Sequence, residues 1–310
     1  MAMSGDSGSP ELAAPDLTRS KNWQPAVMLK KFGRYGKENG CLRYPSGISV
    51  ADNGLIYVAD NRLNKVLIYD IEGSYISSFN CSGAASVTAL RDGNLAIASY
   101  TGSTWLSDSC GLHVFTPDGQ CVQAFKNVPA ATSVAVNANH EYIIVDPVEQ
   151  CISVINSHGD IVRQFNRTGR GEAKLPFALT VNSRNEIVVS DTSNNCVKVF
   201  NNLGVCLNQF GQKGKSQHMT MAIAPDGSVI RFNKPKGICV DSTDNIYVAD
   251  SKNGRIQMFT PDGQHQRSIL MSSPKFFRKT VAPEAVAMAP TGELLVSCVG
   301  DFTEIRVYAL

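Results

Sequence analysis

The chain repeats itself, and the repeat constrains the fold more than any other feature. Four stretches open on proline and run in parallel. Pro45 opens PSGISVADNGLIYVADNRLNKVLIYDIEGSYISSF, and Pro129 opens PAATSVAVNANHEYIIVDPVEQCISVINSHGDIVRQF. Pro176 opens PFALTVNSRNEIVVSDTSNNCVKVFNNLGVCLNQF, and Pro235 opens PKGICVDSTDNIYVADSKNGRIQMFTPDGQHQRSIL. Each holds four short apolar segments separated by turn residues, the pattern of strands and not of helices. A weaker copy runs from Ala84 to Phe125, with a longer segment, Thr101 to Gly111, between its second and third strands. The last copy, Pro283 to Leu310, has only three strands.

The turns between third and fourth strands carry Glu72-Gly73, Asp118-Gly119, His158-Gly159, Leu203-Gly204 and Asp262-Gly263. Glycine there supplies the positive φ of a tight hairpin. The closing aromatics Phe32, Phe79, Phe125, Phe165 and Phe210 fall 40–47 residues apart, a propeller-blade period. The last copy lacks a fourth strand, while Val27 to Phe32 reads as a fourth strand with nothing before it. Pairing the two removes two open edges. The expected fold is all-β: a six-bladed β-propeller over 26–310, its ring closed by the N-terminal strand pairing with the C-terminal blade. Residues 1–25, rich in Gly, Ser and Pro and without an apolar signal-peptide core, read as a flexible leader.

Composition narrows the class. Apolar residues make up 43% and charged residues 18% of the 310, as in a globular domain. No apolar run approaches the roughly 18 residues of a membrane span, so no membrane is expected. The nine cysteines form no CxxC pair, and several, such as Cys151, Cys196 and Cys239, sit inside strand runs. Reduced buried thiols in a cytoplasmic protein are expected.

The motif Pro-x-Gly-Ile-x-Val, then Ile-Tyr-Val-Ala-Asp, then Asn-x-x-Ile/Val-x-x-Phe/Tyr resembles the NHL repeat. It is clearest in PSGISV…LIYVADNRLNKVLIYD and PKGICV…NIYVADSKNGRIQMF, and FGRYGKENGCLRYPSG resembles the lead-in of such repeats. The resemblance covers about 26–310 and departs most in the copy from Ala84 and in the last. Six NHL blades resemble the C-terminal domain of the TRIM-NHL family, Brat-like RNA-binding translational repressors. The sequence holds no RING, B-box or coiled coil, so any ubiquitin ligase activity would lie in another part of a longer protein. The resemblance implies binding of single-stranded, often U-rich RNA. It further implies post-transcriptional regulation of cytoplasmic messengers through 3′ untranslated regions, as in differentiation. Other members use the propeller to hold protein co-repressors or ubiquitylation substrates, and that is the alternative reading.

Topology permits a separate test. Loops between blades, and between second and third strands, share one face, here the junction face. The other two turn types share the opposite, hairpin face. The inter-blade loops carry 15 of the 29 Lys and Arg. They are Arg34, Lys37, Arg43, Lys126, Arg167, Arg170, Lys174, Lys213, Lys215, Arg231, Lys234, Lys236, Lys275, Arg278 and Lys279. Arg62, Lys252 and Arg255 follow second strands on the same face; the acids of the inter-blade loops are Glu38, Glu172, Asp226 and Glu284. The hairpin face collects Asp52, Asp70, Glu72, Asp92, Asp118, Glu141, Asp160, Glu186, Asp241, Asp244, Asp262 and Glu293. A net charge of +2 thus hides two faces of opposite sign. One basic face is the footprint of a polyanion binder.

Rings accompany the cations: Tyr35, Tyr44, Phe177, Phe232, Phe276 and Phe277 in inter-blade loops, Tyr100 and Trp105 after a second strand. Cations beside rings suit single strands, whose bases stack and whose phosphates pair. The candidate RNA-binding set is Lys275, Arg278, Lys279, Lys252, Arg255, Lys236, Lys234, Arg62, Arg43, Tyr44, Phe177, Tyr100 and Trp105. Tyr44 and Phe177 either face the central channel or pack locally, and Phe276 and Phe277 are either exposed or buried under their loop.

Asp60, Asp146, Asp191 and Asp250 end second strands at equivalent positions. They are expected to accept backbone N–H bonds of the following turn. The five histidines lack ligand spacing, and no GxSxG or P-loop in a strand–helix context occurs. Gly211-Gln212-Lys213-Gly214-Lys215 precedes a strand-and-turn pattern, not a helix, and reads as part of an insertion between blades four and five. A propeller lactonase or lyase would need metal ligands converging on the channel, which the sequence does not offer. The domain is expected to be a monomeric, non-enzymatic binding module with no metal and no cofactor.

Overall fold

The computed structural model describes residues 26–101, 111–125, 128, 130–147, 149–165, 176–211, 227–271 and 281–310. Its strands form six four-stranded antiparallel sheets. Blade one is β2 (Pro45–Val50), β3 (Ile56–Asp60), β4 (Lys65–Tyr69) and β5 (Tyr75–Asn80). Blade two is β6 (Ala84–Ala89), β7 (Leu95–Ser99), β8 (Gly111–Phe115) and β9 (Cys121–Ala124). Blade three is β10 (Ser133–Val136) to β13 (Ile161–Phe165), blade four β14 (Pro176–Val181) to β17 (Cys206–Gly211), and blade five β18 (Pro235–Val240) to β21 (His265–Leu270). Blade six takes its fourth strand from the other end of the chain. Its order is β1 (Val27–Phe32), β24 (Glu304–Ala309), β23 (Leu294–Gly300) and β22 (Val281–Met288). Val27 pairs with Ala309 and Phe32 with Ile305, so the ring closes as the repeat predicts. Among the described residues no helix is long and apolar enough to cross a membrane.

The first strand of each blade lies innermost, and these six line a central channel of about 330 Å3. Second strands such as Ile56–Asp60, Leu95–Ser99 and Ile246–Asp250 are buried along their whole length. Both faces of each sheet meet a neighbouring blade, so these strands read as continuous apolar runs and not as clean alternation. Six hydrophobic clusters fill the six blade-to-blade junctions. The one between blades six and one joins Ile48, Val58 and Tyr69 to Ala285, Leu295 and Ile305. The outer strands β5, β9 and β13 are largely exposed.

Hairpin glycines and closing phenylalanines prove to be two halves of one contact. Each closing ring lies on the hairpin glycine of the next blade: Phe32 on Gly73, Phe79 on Gly119, Phe125 on Gly159, Phe165 on Gly204 and Phe210 on Gly263. A β-carbon at Gly204 would stand 2.5 Å from the Phe165 ring. The glycine is thus required twice, for its φ of +85° and for the room it leaves. Blade five ends on Leu270 and Met271 without a closing aromatic. It needs none, because blade six has no covalent hairpin there; instead the Arg306 guanidinium donates to the Met271 carbonyl.

Candidate nucleic-acid interface

The inner strands begin irregularly. A register shift falls between Pro45 and Gly47, Ala84 and Ser86, Pro176 and Ala178, Pro235 and Ile238, and Pro283 and Ala285. A bulge at a strand end re-aims a side chain. The residue it frees here is the x of Pro-x-Gly in blades one and five, Ser46 and Lys236, and its equivalents Ala85, Phe177 and Glu284 in blades two, four and six. The glycine after x has its own reason. A β-carbon at Gly237 would come 2.6 Å from the Ala285 Cα of the next blade, so glycine allows the inner strands to close on one another.

Blades four, five and six bring the bulge residues Phe177, Lys236 and Glu284 together at the channel mouth, and Tyr44 joins them from the loop that leads into blade one. The Lys236 ammonium donates to both oxygens of Glu284 at 2.6 Å. The Tyr44 hydroxyl donates to Glu284 Oε1 at 2.7 Å. Lys236 Nζ lies 5.3 Å from the centre of the Phe177 ring and 6.0 Å from that of Tyr44. Burial, reinforced by the Glu284 charge, pushes the Tyr44 phenol well above its ordinary range, which keeps it a neutral donor. Phe177 lines the channel.

Outward from the mouth stand further cations. The Arg62 guanidinium lies 5.5 Å from the centre of the Tyr44 ring. Arg43 lies 5.8 Å from the centre of the Tyr35 ring and donates to its hydroxyl at 3.3 Å. That hydrogen bond pulls the exposed Tyr35 phenol below its ordinary value. Lys234 and Lys252 are exposed, and the Lys234 amide donates to Asn195 Oδ1 at 2.7 Å. Tyr100 is half-buried and ties its loop to the neighbouring blade: its carbonyl accepts from Asn61 Nδ2 at 3.3 Å. Arg255 differs from these. Its Nε donates to the buried Asp250 at 2.8 Å, so its charge is spent inside the fold. Lys275, Arg278, Lys279 and Trp105 lie outside the described residues, as do Phe276 and Phe277.

The repeated aspartates anchor this face. Asp60 accepts from the amides of Arg43 at 2.6 Å, Tyr44 at 3.0 Å and Leu63 at 3.0 Å. Asp146, Asp191 and Asp250 accept from the amides of Glu149, Asn194 and Asn233. Asp60 and Asp250 thus hold the incoming inter-blade loop, and Asp60, Asp146 and Asp191 hold the following turn. Among the described residues no three His, Cys, Asp or Glu are grouped to hold a metal ion. On the hairpin face the carboxylates are built into turns: Asp241 accepts from Thr243 and Asn245, Asp244 from Ser183, and Glu141 from Arg163.

Sequence reasoning counted Glu284 only as a loop acid. Aligning Pro283-Glu284-Ala285 with Pro235-Lys236-Gly237 was the available signal, since it puts opposite charges at one position of adjacent blades.

The NHL-repeat family model matches residues 42–69, 176–200 and 232–259, so the chain carries NHL repeats in blades one, four and five. Protein brain tumor of Drosophila melanogaster is 27% identical over 147 residues, which is 46% of this chain. The match spans 14% of that relative's length. Among solved structures, a streptogramin B lyase superposes with a TM-score of 0.60 at 12% identity, over 93% of this chain and 100% of that one. A Bacteroides thetaiotaomicron protein of unknown function gives 0.63 at 14% identity, over 93% and 72%. These structures share the propeller fold.

Proposed function

We propose that the junction face binds single-stranded, U-rich RNA and that the propeller is a messenger-targeting domain of the TRIM-NHL kind, acting in cytoplasmic translational repression. One observation carries the reading: half-buried Arg43 lies over Tyr35 and exposed Arg62 over Tyr44, with Phe177 beside Lys236 and exposed Lys234 and Lys252 in loops of the same face, while the hairpin loops are rich in carboxylates. Phosphates pair with these cations and bases stack on the rings. Lys275, Arg278 and Lys279 belong to the same proposed surface by sequence position. In this reading the domain binds and does not catalyse, and it needs no cofactor.

The test is fluorescence anisotropy with U-rich and C-rich oligoribonucleotides across a salt series. Arg62→Glu with Lys252→Glu is expected to weaken U-rich binding more than tenfold at low salt. The slope of log K against log salt becomes shallower by about 0.7 per lost phosphate contact on a single strand. Unchanged affinity and slope remove this face from the reading.

A second reading rests on the rim. Leu203 is 69% exposed, Val205 and Leu207 follow it on blade four, and Ile161 and Val162 stand on the outer strand of blade three. Exposed apolar side chains grouped this way fit a protein co-repressor. RNase-resistant co-purification with such a partner, lost in Leu203→Asp/Leu207→Asp, tests it.

A further inference from the structure

Glu284 is the acid that does not belong on a basic face. It is wholly buried, and the side chain of Lys236 is only 21% exposed. An unpaired carboxylate at such depth is strongly unfavourable, so the carboxylate holds the ammonium in place. Tyr44 completes the grip from blade one. Three consecutive blades therefore meet on one neutral pair, and the cation nearest the channel adds no net charge to the face. The outer cations Arg43, Arg62, Lys234 and Lys252 have no acid partner among the described residues.

A phosphate approaching the mouth meets Glu284 behind Lys236 and must break a two-oxygen pair to gain one cation. An uncharged ring meets no such barrier and has the Tyr44 and Phe177 rings beside Lys236 to pack on. We propose that Glu284 is a specificity-determining residue: by neutralising Lys236 it keeps phosphate away from the channel mouth, so a bound strand lays its backbone on the outer cations and only an uncharged base reaches the two rings. This rests on the RNA-binding reading of the same face. The charge-masking half of it stands apart and is tested without RNA.

Four proteins separate the roles: wild type, Glu284→Gln, Lys236→Met, and the double variant. Each is titrated over a salt series with a U-rich oligoribonucleotide and with inorganic polyphosphate, which has the charge but no bases. Freed by Glu284→Gln, Lys236 becomes available to phosphate. Polyphosphate binding then tightens several-fold at low salt, its salt slope steepens by about 0.7 using the single-strand value, and preference for RNA over polyphosphate falls. Lys236→Met leaves the buried carboxylate uncompensated and weakens both probes. The double variant returns polyphosphate affinity and slope to wild type, because both members of a neutral pair are gone. It also keeps the test readable where Lys236→Met does not fold, since it leaves no buried charge unpaired.

Two results overturn the proposal: a double variant with weaker binding and a slope shallower than wild type, which makes Lys236 a direct phosphate contact, or a Glu284→Gln slope unchanged for polyphosphate. Wild type that ignores U-rich RNA while Glu284→Gln still steepens the polyphosphate slope sinks the RNA reading and leaves the charge masking standing. No polyphosphate binding by any variant overturns both.

Discussion

The ring of Phe79 lies on the backbone of Gly119, the hairpin glycine of the next blade, where a β-carbon would overlap it. Gly119 also has φ +91°, so alanine there meets two penalties. Gly93 isolates one of them: φ is +86°, and nothing lies within 4 Å of its notional β-carbon. Gly93→Ala is expected to cost about 1 kcal/mol from backbone strain. Gly119→Ala adds overpacking, for a total of about 2–4 kcal/mol. Urea unfolding midpoints at constant m-value measure both, and equal losses refute the ring contact.

Asp60 holds three amides from two loops. Hydrogen bonds to a charged acceptor contribute about 1.5–3 kcal/mol each, and orphaned buried donors add to their loss. Asp60→Ala is expected to destabilise the domain by about 3 kcal/mol or more. Hydrogen exchange at Arg43 and Tyr44 speeds up ahead of global unfolding. The exposed Asp52→Ala is the control and leaves both unchanged.

A chain that begins at Gly33 lacks β1, and with it the Phe32–Gly73 contact and the 2.6 Å bond from Lys30 to the Ile71 carbonyl. The edge of β24 is then bare. Open edges seek another strand, so light scattering is expected to show oligomers. A peptide of residues 26–33 supplied in trans restores the monomer by strand addition. A truncated chain that stays monomeric and equally stable contradicts closure by this strand.

Thiol reactivity maps burial. Cys121 and Cys206 are exposed, whereas Cys41, Cys81, Cys151, Cys196, Cys239 and Cys298 are buried. Burial pushes the thiols of Cys196 and Cys298 up to about 12. In a Cys110→Ser background, a disulfide reagent is expected to label two thiols in the native protein and all eight in urea. Cys206, its pKa also raised by burial, has less thiolate at neutral pH, so its labelling keeps accelerating with pH above about 8.5, where an ordinary thiol levels off.

Much of this molecule was legible in the chain. The blade number, the closure by Val27–Phe32 and the sidedness of charge follow from a repeat whose strands and turns are local choices. Legibility failed where the partner lies on another strand. Arg255 reads as a free cation until Asp250, across the hairpin in the same blade, is beside it, and Lys236 reads likewise until Glu284 of the next blade, 48 positions away, accepts it.

The sequence by itself determined that each copy makes one blade and which loops share a face, because period, turn residues and strand length act within some forty residues. Only the tertiary structure decided which charges stay available. Ring closure sets first strands of neighbouring blades side by side, and at that distance a buried carboxylate captures the nearest ammonium. Whether a lysine meets solvent or a glutamate is settled by packing between blades, and no pattern within one blade records it.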